Sequence, residues 1–199
     1  MRSPILAALV LSFLTSSVSA QSWGLGLRLG DPSGITVKKY GQGHAWEFSL
    51  GRTHLFNGDR YYYDRYAYWY DHQNFGHKDH QLIGYRSSVP LGLQVHYLIQ
   101  KPVKDAGGLN WYYGFGGQLR TQRYSYDYRY KVQGGPDWIV VNNTVVRETD
   151  LGIDGVIGLE YRFQDAPVAV FLDATLFMEV INEPFVFDGQ GGLGIRYTF

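Results

Sequence analysis

Apolar and polar residues alternate with a period of two along most of the chain, which is the pattern of β-strands that have one apolar face. The first such segment places Trp23, Leu25, Leu27 and Leu29 on one face and mostly glycine on the other. The alternation recurs in seven further segments, whose apolar faces include Ile35, Phe48, Val95, Phe115, Ile157, Val170 and Ile195. No segment shows a convincing helical period, so the sequence predicts an all-β chain of eight strands.

The segments that connect the predicted strands alternate in length. They are short at residues 41–43, 101–108 and 164–167, whereas the connections at 53–81 and 123–148 are long. Closed membrane barrels have an even number of strands, short periplasmic turns and longer extracellular loops. We therefore predict a transmembrane, antiparallel, up-and-down β-barrel of eight strands, with both termini in the periplasm and the long loops extracellular.

The first twenty residues have the organisation of a signal peptide. Arg2 supplies a positive start, residues 5–14 form an apolar run, and Val18-Ser19-Ala20 is a small-residue cleavage site. The apolar run is about half as long as the roughly 20 residues that a membrane-spanning helix needs, which favours cleavage over anchoring. We expect residues 1–20 to be removed and residues 21–199 to form one outer-membrane barrel.

The composition excludes several other classes of protein. The chain has no Cys, so neither a disulfide framework nor a thiolate metal site is available to it. Basic and acidic residues both number 18, and the sequence has no basic stripe of the kind that nucleic-acid binding requires. We therefore expect no nucleic-acid partner. The 25 Gly, 17 Tyr, 11 Phe and 5 Trp suit strands and membrane-interface belts.

Aromatic residues concentrate at one predicted end of the barrel. If both termini lie in the periplasm, odd-numbered strands run outward and even-numbered strands run inward. The aromatic residues at the periplasmic ends of the strands are then Trp23, Trp46, Tyr97, Trp111, Tyr161, Phe163, Tyr197 and Phe199. A row of this kind is the aromatic girdle of a membrane interface, and it favours the predicted orientation.

Two glycine-rich motifs, GLNWYYGFGG at 108–117 and GIDGVIGLEY at 152–161, resemble a known group of proteins. The sequence is similar to the small eight-stranded outer-membrane β-barrels of Bacteroidota, which share the architecture of the OmpA transmembrane domain and OmpX. Its ending, GIRYTF at 194–199, resembles the carboxy-terminal signal that the barrel-assembly machinery reads. The resemblance implies the fold, an outer-membrane location, and assembly through the strand ending at Phe199. It brings no catalytic motif and no cofactor.

Residues of the parity opposite to the apolar face are expected to point into the lumen. They include five basic and five acidic residues: Arg28, Lys38, Arg120, Arg162 and Arg196, and Glu47, Asp154, Glu160, Asp173 and Glu179. Side chains fill the interior of a narrow eight-stranded barrel, and buried charges persist there when they are paired. We interpret this set as a polar plug that rigidifies the barrel; the alternative interpretation is an ion or proton path.

The long segment at 53–81 is rich in tyrosine and arginine, which make adaptable contacts at protein interfaces. Its candidate binding residues are Arg60, Tyr61, Tyr62, Tyr63, Arg65, Tyr66, Tyr68, Trp69 and Tyr70. The alternative is structural: the strands continue above the membrane as a twisted hairpin with cross-strand tyrosine pairs. Four histidines, at 54, 72, 77 and 80, lie in the same segment, but their spacing is not diagnostic of a metal site, and we predict none.

The sequence therefore predicts a non-enzymatic outer-membrane protein surrounded by lipid and lipopolysaccharide. Its Tyr-rich loops would bind a surface protein or glycan, or the barrel would contribute to envelope integrity. Two alternatives stay open. One is an enzyme that acts on lipid A or surface polymers, for which Ser87 and Ser88, not far from His80, are the nearest thing to a nucleophile and base. The other is a narrow pore, although eight strands leave little room in the lumen.

Overall fold

The computed structural model describes residues 22–54, 59–73, 75–77, 79–132, 135–181 and 184–199; the side chains of residues 59 and 60 are outside this description. Nine strands and one helix occur in these ranges: β1 (Trp23–Gly30), β2 (Ser33–Tyr40), β3 (His44–Arg52), α1 (Asp59–His72), β4 (His80–Ser87), β5 (Leu91–Pro102), β6 (Leu109–Lys131), β7 (Trp138–Arg162), β8 (Val168–Ile181) and β9 (Phe187–Thr198). Within them, no helix is both long and apolar enough to span a membrane. The predicted signal peptide lies outside the described residues.

The strands close into an antiparallel ring. The order around the ring is β1, β2, β3, β5, β6, β7, β8 and β9, and β9 pairs with β1 again. The remaining strand, β4, pairs with the upper part of β6 at Tyr124–Tyr130, whereas β5 pairs with its lower part at Asn110–Thr121. Together β4 and β5 therefore follow the line of one strand. The predicted eight-stranded antiparallel barrel is confirmed.

The line from β4 to β5 is interrupted at residues 88–90. Pro90 has no backbone N–H to give to a ladder, so a strand breaks or bulges where it occurs. Its carbonyl oxygen accepts a hydrogen bond from the backbone N–H of Thr53, at 3.1 Å, just past the end of β3. The break therefore lies at the rim of the ring, and above it β4 pairs with β6 and not with β3 in the described residues.

The two faces of the ring differ as the sequence alternation predicts. Leu27 in β1 is 63% exposed, whereas its neighbour Arg28 is 2% exposed because it points inward. The outer face forms a continuous apolar belt, which we call the belt and which includes Leu25, Leu27, Ile35, Phe48, Leu93, Phe115, Leu119, Leu151, Ile157, Leu172 and Ile195. Because the ring is closed, its backbone groups are paired without an edge, as a lipid environment requires.

The expectation that the chain contains no helix is wrong for residues 59–72, which form α1. The twisted hairpin predicted for the segment at 53–81 is also wrong, because α1 occupies half of it. The extended hairpin lies instead in the second long segment, where β6 continues to Lys131 and β7 begins at Trp138. We call α1, β4, and residues 122–131 and 138–149 of β6 and β7 the cap.

Candidate functional site: the lumen and the cap

The lower lumen contains a four-residue charge cluster in which every side chain is buried. Arg196 lies 2.7 Å from a carboxylate oxygen of Glu47 and donates a hydrogen bond to Glu160 at 2.9 Å. Lys38 donates to the same oxygen of Glu160, also at 2.9 Å, and lies 3.8 Å from Glu47. The cluster brings together residues from β2, β3, β7 and β9, so it ties four strands across the lumen. Its two cations balance its two anions.

A second ion pair joins β1 to β8. The guanidinium of Arg28 donates two hydrogen bonds to the carboxylate of Asp173, at 2.5 and 2.7 Å. This bidentate geometry is the strongest form of an arginine–carboxylate contact. Gly192 of β9 makes room for it, since a Cβ at that position would come within 2.2 Å of the Arg28 guanidinium carbon.

The remaining charges predicted to face the lumen have other partners. Asp154 contacts a histidine that sequence analysis did not single out: His96 Nε2 lies 3.1 Å from its carboxylate. His96 shares the inward parity of Gln94, so this alternation was the available signal. Arg162 donates to Glu160 at 3.2 Å but keeps about a third of its side chain exposed. Glu179 is buried on the inward face of β8.

The upper lumen is organised around His54, which follows the end of β3. Its backbone N–H donates to Asp31 at 2.8 Å, and its Nδ1 lies 2.9 Å from the hydroxyl oxygen of Thr53. Burial, and then the positive charges of Arg120 and Arg65, lower the pKa of His54 from 6.5 to about 3. His54 is therefore neutral at physiological pH, and its Nε2 accepts a hydrogen bond from Arg120 at 3.3 Å. Arg120 also pairs with Asp188 at 3.2 Å.

The cap is held on the barrel by an ion pair and an aromatic core. Arg65 of α1 is 7% exposed and contacts Asp150 at 3.1 Å and Glu148 at 3.3 Å, both on β7. The core consists of Tyr66, Tyr70, Leu82, Tyr124, Tyr126 and Tyr128, with Tyr62, Trp69 and Tyr85 packed against it. The tyrosines of β6 continue the inward parity of Arg120, so α1 covers the face that would otherwise open above the ring.

The structure buries three of the nine candidate binding residues of this segment, Arg65, Tyr66 and Tyr70, inside the cap. Tyr66 and Tyr70 are each 3% exposed, so they are not available to an external partner. Tyr61, Tyr62, Tyr68 and Trp69 are half-buried, and Tyr63 is 50% exposed. The side chain of Arg60 lies outside the described residues. Composition alone does not distinguish an outward tyrosine face from an internal one, which is why the sequence predicts a contact surface here.

The histidines of the segment have separate surroundings. His80 stacks on Tyr70 with ring centroids 3.9 Å apart, and His77 stacks on Tyr130 at 4.5 Å. Within the described residues, no group of three or more His, Asp or Glu side chains could hold a metal ion. Ser88 accepts a hydrogen bond from the backbone N–H of Arg123 at 3.1 Å, on the opposite face of the sheet from the His80 ring. The structure does not pair this serine with the histidine.

The predicted girdle residues lie at the end of the barrel that carries the turns at 41–43 and 103–108. Trp46 and Tyr97 pack edge to face with centroids 5.1 Å apart, and Tyr161 packs on Phe163 at 5.0 Å. Trp23 and Phe199 exchange two backbone hydrogen bonds, so the first and last strands close at this end. The other members are Trp111 and Tyr197, which are half-buried on the same outer face.

An outward apolar belt around a lumen filled with charged side chains defines the class: this is a small antiparallel β-barrel of the outer-membrane type. No protein-family model matches the sequence, and no curated protein matches it. Among solved structures, the chain is similar to the N-terminal β-barrel domain of Pseudomonas aeruginosa OprF. The TM-score is 0.54, with 10% identity over 90% of this chain and 98% of that chain.

Two other solved barrels are similar at lower TM-scores. Ail, the attachment invasion locus protein of Yersinia pestis, gives 0.47 with 11% identity over 89% of this chain and 97% of that chain. Neisserial surface protein A gives 0.42 with 10% identity over 89% and 94%. At 10% identity the OprF domain shows the fold alone. It agrees with the predicted small outer-membrane barrel architecture, whereas the finer placement among Bacteroidota has no support from these three.

Proposed function

We propose that this protein is a non-enzymatic outer-membrane β-barrel whose cap binds a protein or glycan at the cell surface. In this proposal residues 1–20 are a cleaved signal peptide, both termini and the aromatic girdle face the periplasm, and the cap stands outside the cell. Lipid and lipopolysaccharide surround the belt. The barrel-assembly machinery recognises the last strand, which ends at Phe199.

The observation that carries the proposal is the height of the cap above the belt. β6 continues from Leu119, the last belt residue on that strand, to Lys131, which corresponds to about 40 Å of extended chain. β7 accompanies it with the same register, apart from one bulge near Tyr126. A role in envelope integrity alone does not explain why this unit is so tall and well packed. Recognition at the cell surface does explain it, because the binding residues then have to stand above the membrane.

The filling of the lumen favours this function over a pore or a hydrolase. Glu160 and Asp173 are each held by buried cations at 2.9 Å or less. A conducting path would require these pairs to separate, and a carboxylate that is paired with arginine is a poor general acid. Neither alternative has a specific observation in its favour among the described residues.

The recognition surface is best placed at the tip of the cap on its outer face. There Trp138 is 38% exposed, and two cations of the neighbouring strand β6 lie near its ring, with Arg129 4.6 Å and Lys131 4.9 Å from the ring centroid. Tryptophan and arginine are the residues that most often dominate binding energy at protein interfaces. Such a pair also suits a glycan that carries negative charge, because the ring packs on the sugar and the cations face its acidic group.

The experiment is a binding screen with cells that display the protein, against glycans and surface proteins, repeated with the Trp138→Ala/Arg129→Ala variant. The matched control is Lys101→Ala, which removes a cation 5.6 Å from Trp111 at the opposite end of the barrel. We expect a ligand that is lost in the cap variant and kept in the control. Substitutions are better than deletion of residues 59–75, because deleting α1 would uncover the tyrosine core.

Two controls separate binding from folding. Each variant should show the usual difference in gel mobility between heated and unheated barrel, and each should fractionate with the outer membrane. A screen in which folded wild-type protein binds nothing would contradict the recognition function. A ligand that binds the cap variant as well as wild type would place recognition elsewhere.

A further inference from the structure

Two arginines face each other on the outer surface of the barrel without a visible reason in the fold. Arg123 of β6 and Arg147 of β7 are direct cross-strand partners, and both are exposed. Like charges that lie directly opposite each other destabilise a sheet. Within the described part of the chain, neither side chain has an acidic partner. The arrangement therefore costs stability unless an anion binds between the two guanidinium groups.

A shallow groove of about 250 Å³ is lined by Arg123, and Arg147 stands beside it as the cross-strand neighbour of Arg123 without forming part of its wall. Since a water molecule occupies about 30 Å³ in the liquid, the groove holds several waters or one tetrahedral anion with its first contacts. Its walls include Arg86, Ser88, Ser125 and Asn143 beside Arg123. Arg86 is directed into the same region, where its guanidinium lies 3.5 Å from the hydroxyl oxygen of Ser125. The groove thus gathers guanidinium and hydroxyl donors.

One acidic residue limits the positive charge of the groove. Asp127 lies 3.4 Å from Arg86 and accepts a hydrogen bond from the backbone N–H of Asn143 at 2.6 Å. This contact orients Arg86 and offsets its charge in part. Asp127 does not offset the charges of the opposed Arg123 and Arg147. The outer face of the sheet therefore carries a net positive charge at this position.

The depth of the pair in the membrane follows from strand geometry. From Trp111 in the girdle to Arg123 is twelve positions along β6, or about 41 Å at about 3.4 Å per residue. A strand tilt of about 40° reduces this to about 31 Å along the membrane normal, while the apolar band of an outer-membrane barrel is about 25 Å tall. Between the belt and the arginines lies the pair Thr121 and Thr149. Arg123 and Arg147 therefore stand a few ångströms above the hydrocarbon, at the depth of lipid headgroups.

We propose that this groove binds a phosphate group on the headgroup of a phosphorylated glycolipid in the outer leaflet. The inference relies on the outer-membrane orientation proposed above, but not on any ligand of the cap tip. Two guanidinium forks match the geometry of a phosphate, which accepts several charge-assisted hydrogen bonds at once. The bound phosphate turns the repulsion between Arg123 and Arg147 into attraction of both for one anion. The barrel would in this way fasten one lipid at a fixed position beside β6 and β7.

The test uses the full chain, expressed in a Gram-negative host, extracted in detergent and freed of lipid. Its thermal unfolding midpoint is measured with added lipid A that carries phosphates, with dephosphorylated lipid A, and with inorganic phosphate. A ligand that binds the folded state raises the midpoint by mass action. We expect the phosphorylated lipid to raise it at a concentration at least tenfold lower than either of the other two.

The decisive variant is Arg123→Gln/Arg147→Gln. Without lipid its midpoint should equal or exceed that of wild type, because the repulsion is gone; with phosphorylated lipid A it should fall below wild type. The matched control, Lys101→Gln, removes a cation near Trp111 at the opposite end of the barrel and should respond to the lipid as wild type does. This reversal of order distinguishes a lipid site from loss of folding, which would lower the midpoint under both conditions.

Three results would overturn the inference. The first is an equal response of wild type and the double variant to phosphorylated lipid A. The second is an equal response of wild type to the dephosphorylated lipid. The third is an equal effect of inorganic phosphate, which would mean that the groove takes a free anion. Because heat-modifiable gel mobility and cell fractionation report folding and location separately, none of these results bears on the proposed function of the cap.

Discussion

Replacement of Arg196 by methionine measures how strongly the lumen depends on its buried charges. Arg196 is fully buried and lies between Glu47 and Glu160, at 2.7 and 2.9 Å. The Arg196→Met variant leaves Glu47 with Lys38, at 3.8 Å, as its nearest described cation. Removing one partner of a buried ion pair leaves an uncompensated charge and costs about 3–5 kcal/mol. We expect the free energy of unfolding to fall by an amount in this range.

The control is Arg162→Met, which affects the same carboxylate from a partly exposed position. Arg162 contacts Glu160 at 3.2 Å, but 35% of its side chain is exposed, and solvent-screened pairs contribute about 0–1 kcal/mol. The double variant Arg196→Met/Glu160→Gln removes one cation and one anion together. It should therefore be more stable than the sum of its single variants predicts, because the remaining Lys38 and Glu47 balance each other.

The assay is urea-induced unfolding in lipid vesicles, followed by tryptophan fluorescence and by gel mobility without heating. The expected order of stability is wild type, then Arg162→Met, then Arg196→Met. Equal losses in the two single variants would refute the reasoning. Such a result would mean that water reaches Glu47 and Glu160 and screens their charges. The loss in free energy of unfolding would then not depend on how deeply the removed cation is buried.

Three further predictions concern the rim, the cap and the lumen wall. The pKa of His54 is about 3 in the folded protein and about 6.5 unfolded, so the unfolded state binds the proton first and the free energy of unfolding should fall as pH drops below 6.5. Between pH 6.5 and about 5, where carboxylates stay ionised in both states, His54→Gln should remove this dependence on pH. Tyr66→Ala opens a cavity in the tyrosine core and should cost the cap about 3–5 kcal/mol, which protease cleavage of the cap but not of the barrel would reveal. Gly192→Ala should displace Arg28 from its ion pair and lower the urea midpoint, whereas Gly189→Ala, where a Cβ meets open space, should leave it unchanged.

The fold was predictable because a period of two survives in a closed barrel. Each strand separates lipid from lumen, so alternation such as that of Leu27 and Arg28 gives both the strand and the direction of each side chain. Alternation does not give the stagger between strands. The partners of Arg28 and Arg196 lie on strands remote in sequence, and parity alone would equally have allowed Arg28 to meet Glu160. The inward parity of His96 likewise does not show that its ring meets Asp154, because that contact also depends on the stagger between strands.

The helix was missed for a different physical reason. Tyr62, Tyr66, Trp69 and Tyr70 are spaced as one face of a helix, at i, i+4, i+7 and i+8. Tyrosine and tryptophan have high strand propensity, and the segment lies between strands, so composition favoured a hairpin. Tertiary packing decided otherwise, since this helical face meets the tyrosines of β6. The spacing was visible in the sequence, but it carried less weight than the propensity of the residues.

The cap and the lumen are parts of one continuous inner surface. Along β6 the inward row reads Gln118, Arg120, Gln122, Tyr124, Tyr126 and Tyr128, changing from polar to aromatic at the height where the pairing of β5 with β3 ends and β4 takes over beside β6. Inside the ring, opposite strands satisfy this row with charged groups. Above the ring no opposite wall exists in the described residues, so the row must be covered, and α1 supplies the cover. An aromatic inward row that continues past the belt is therefore a sequence signal for a covering element, and the pairing of Arg65, in the middle of α1, with Asp150 fixes that element to the barrel at the junction.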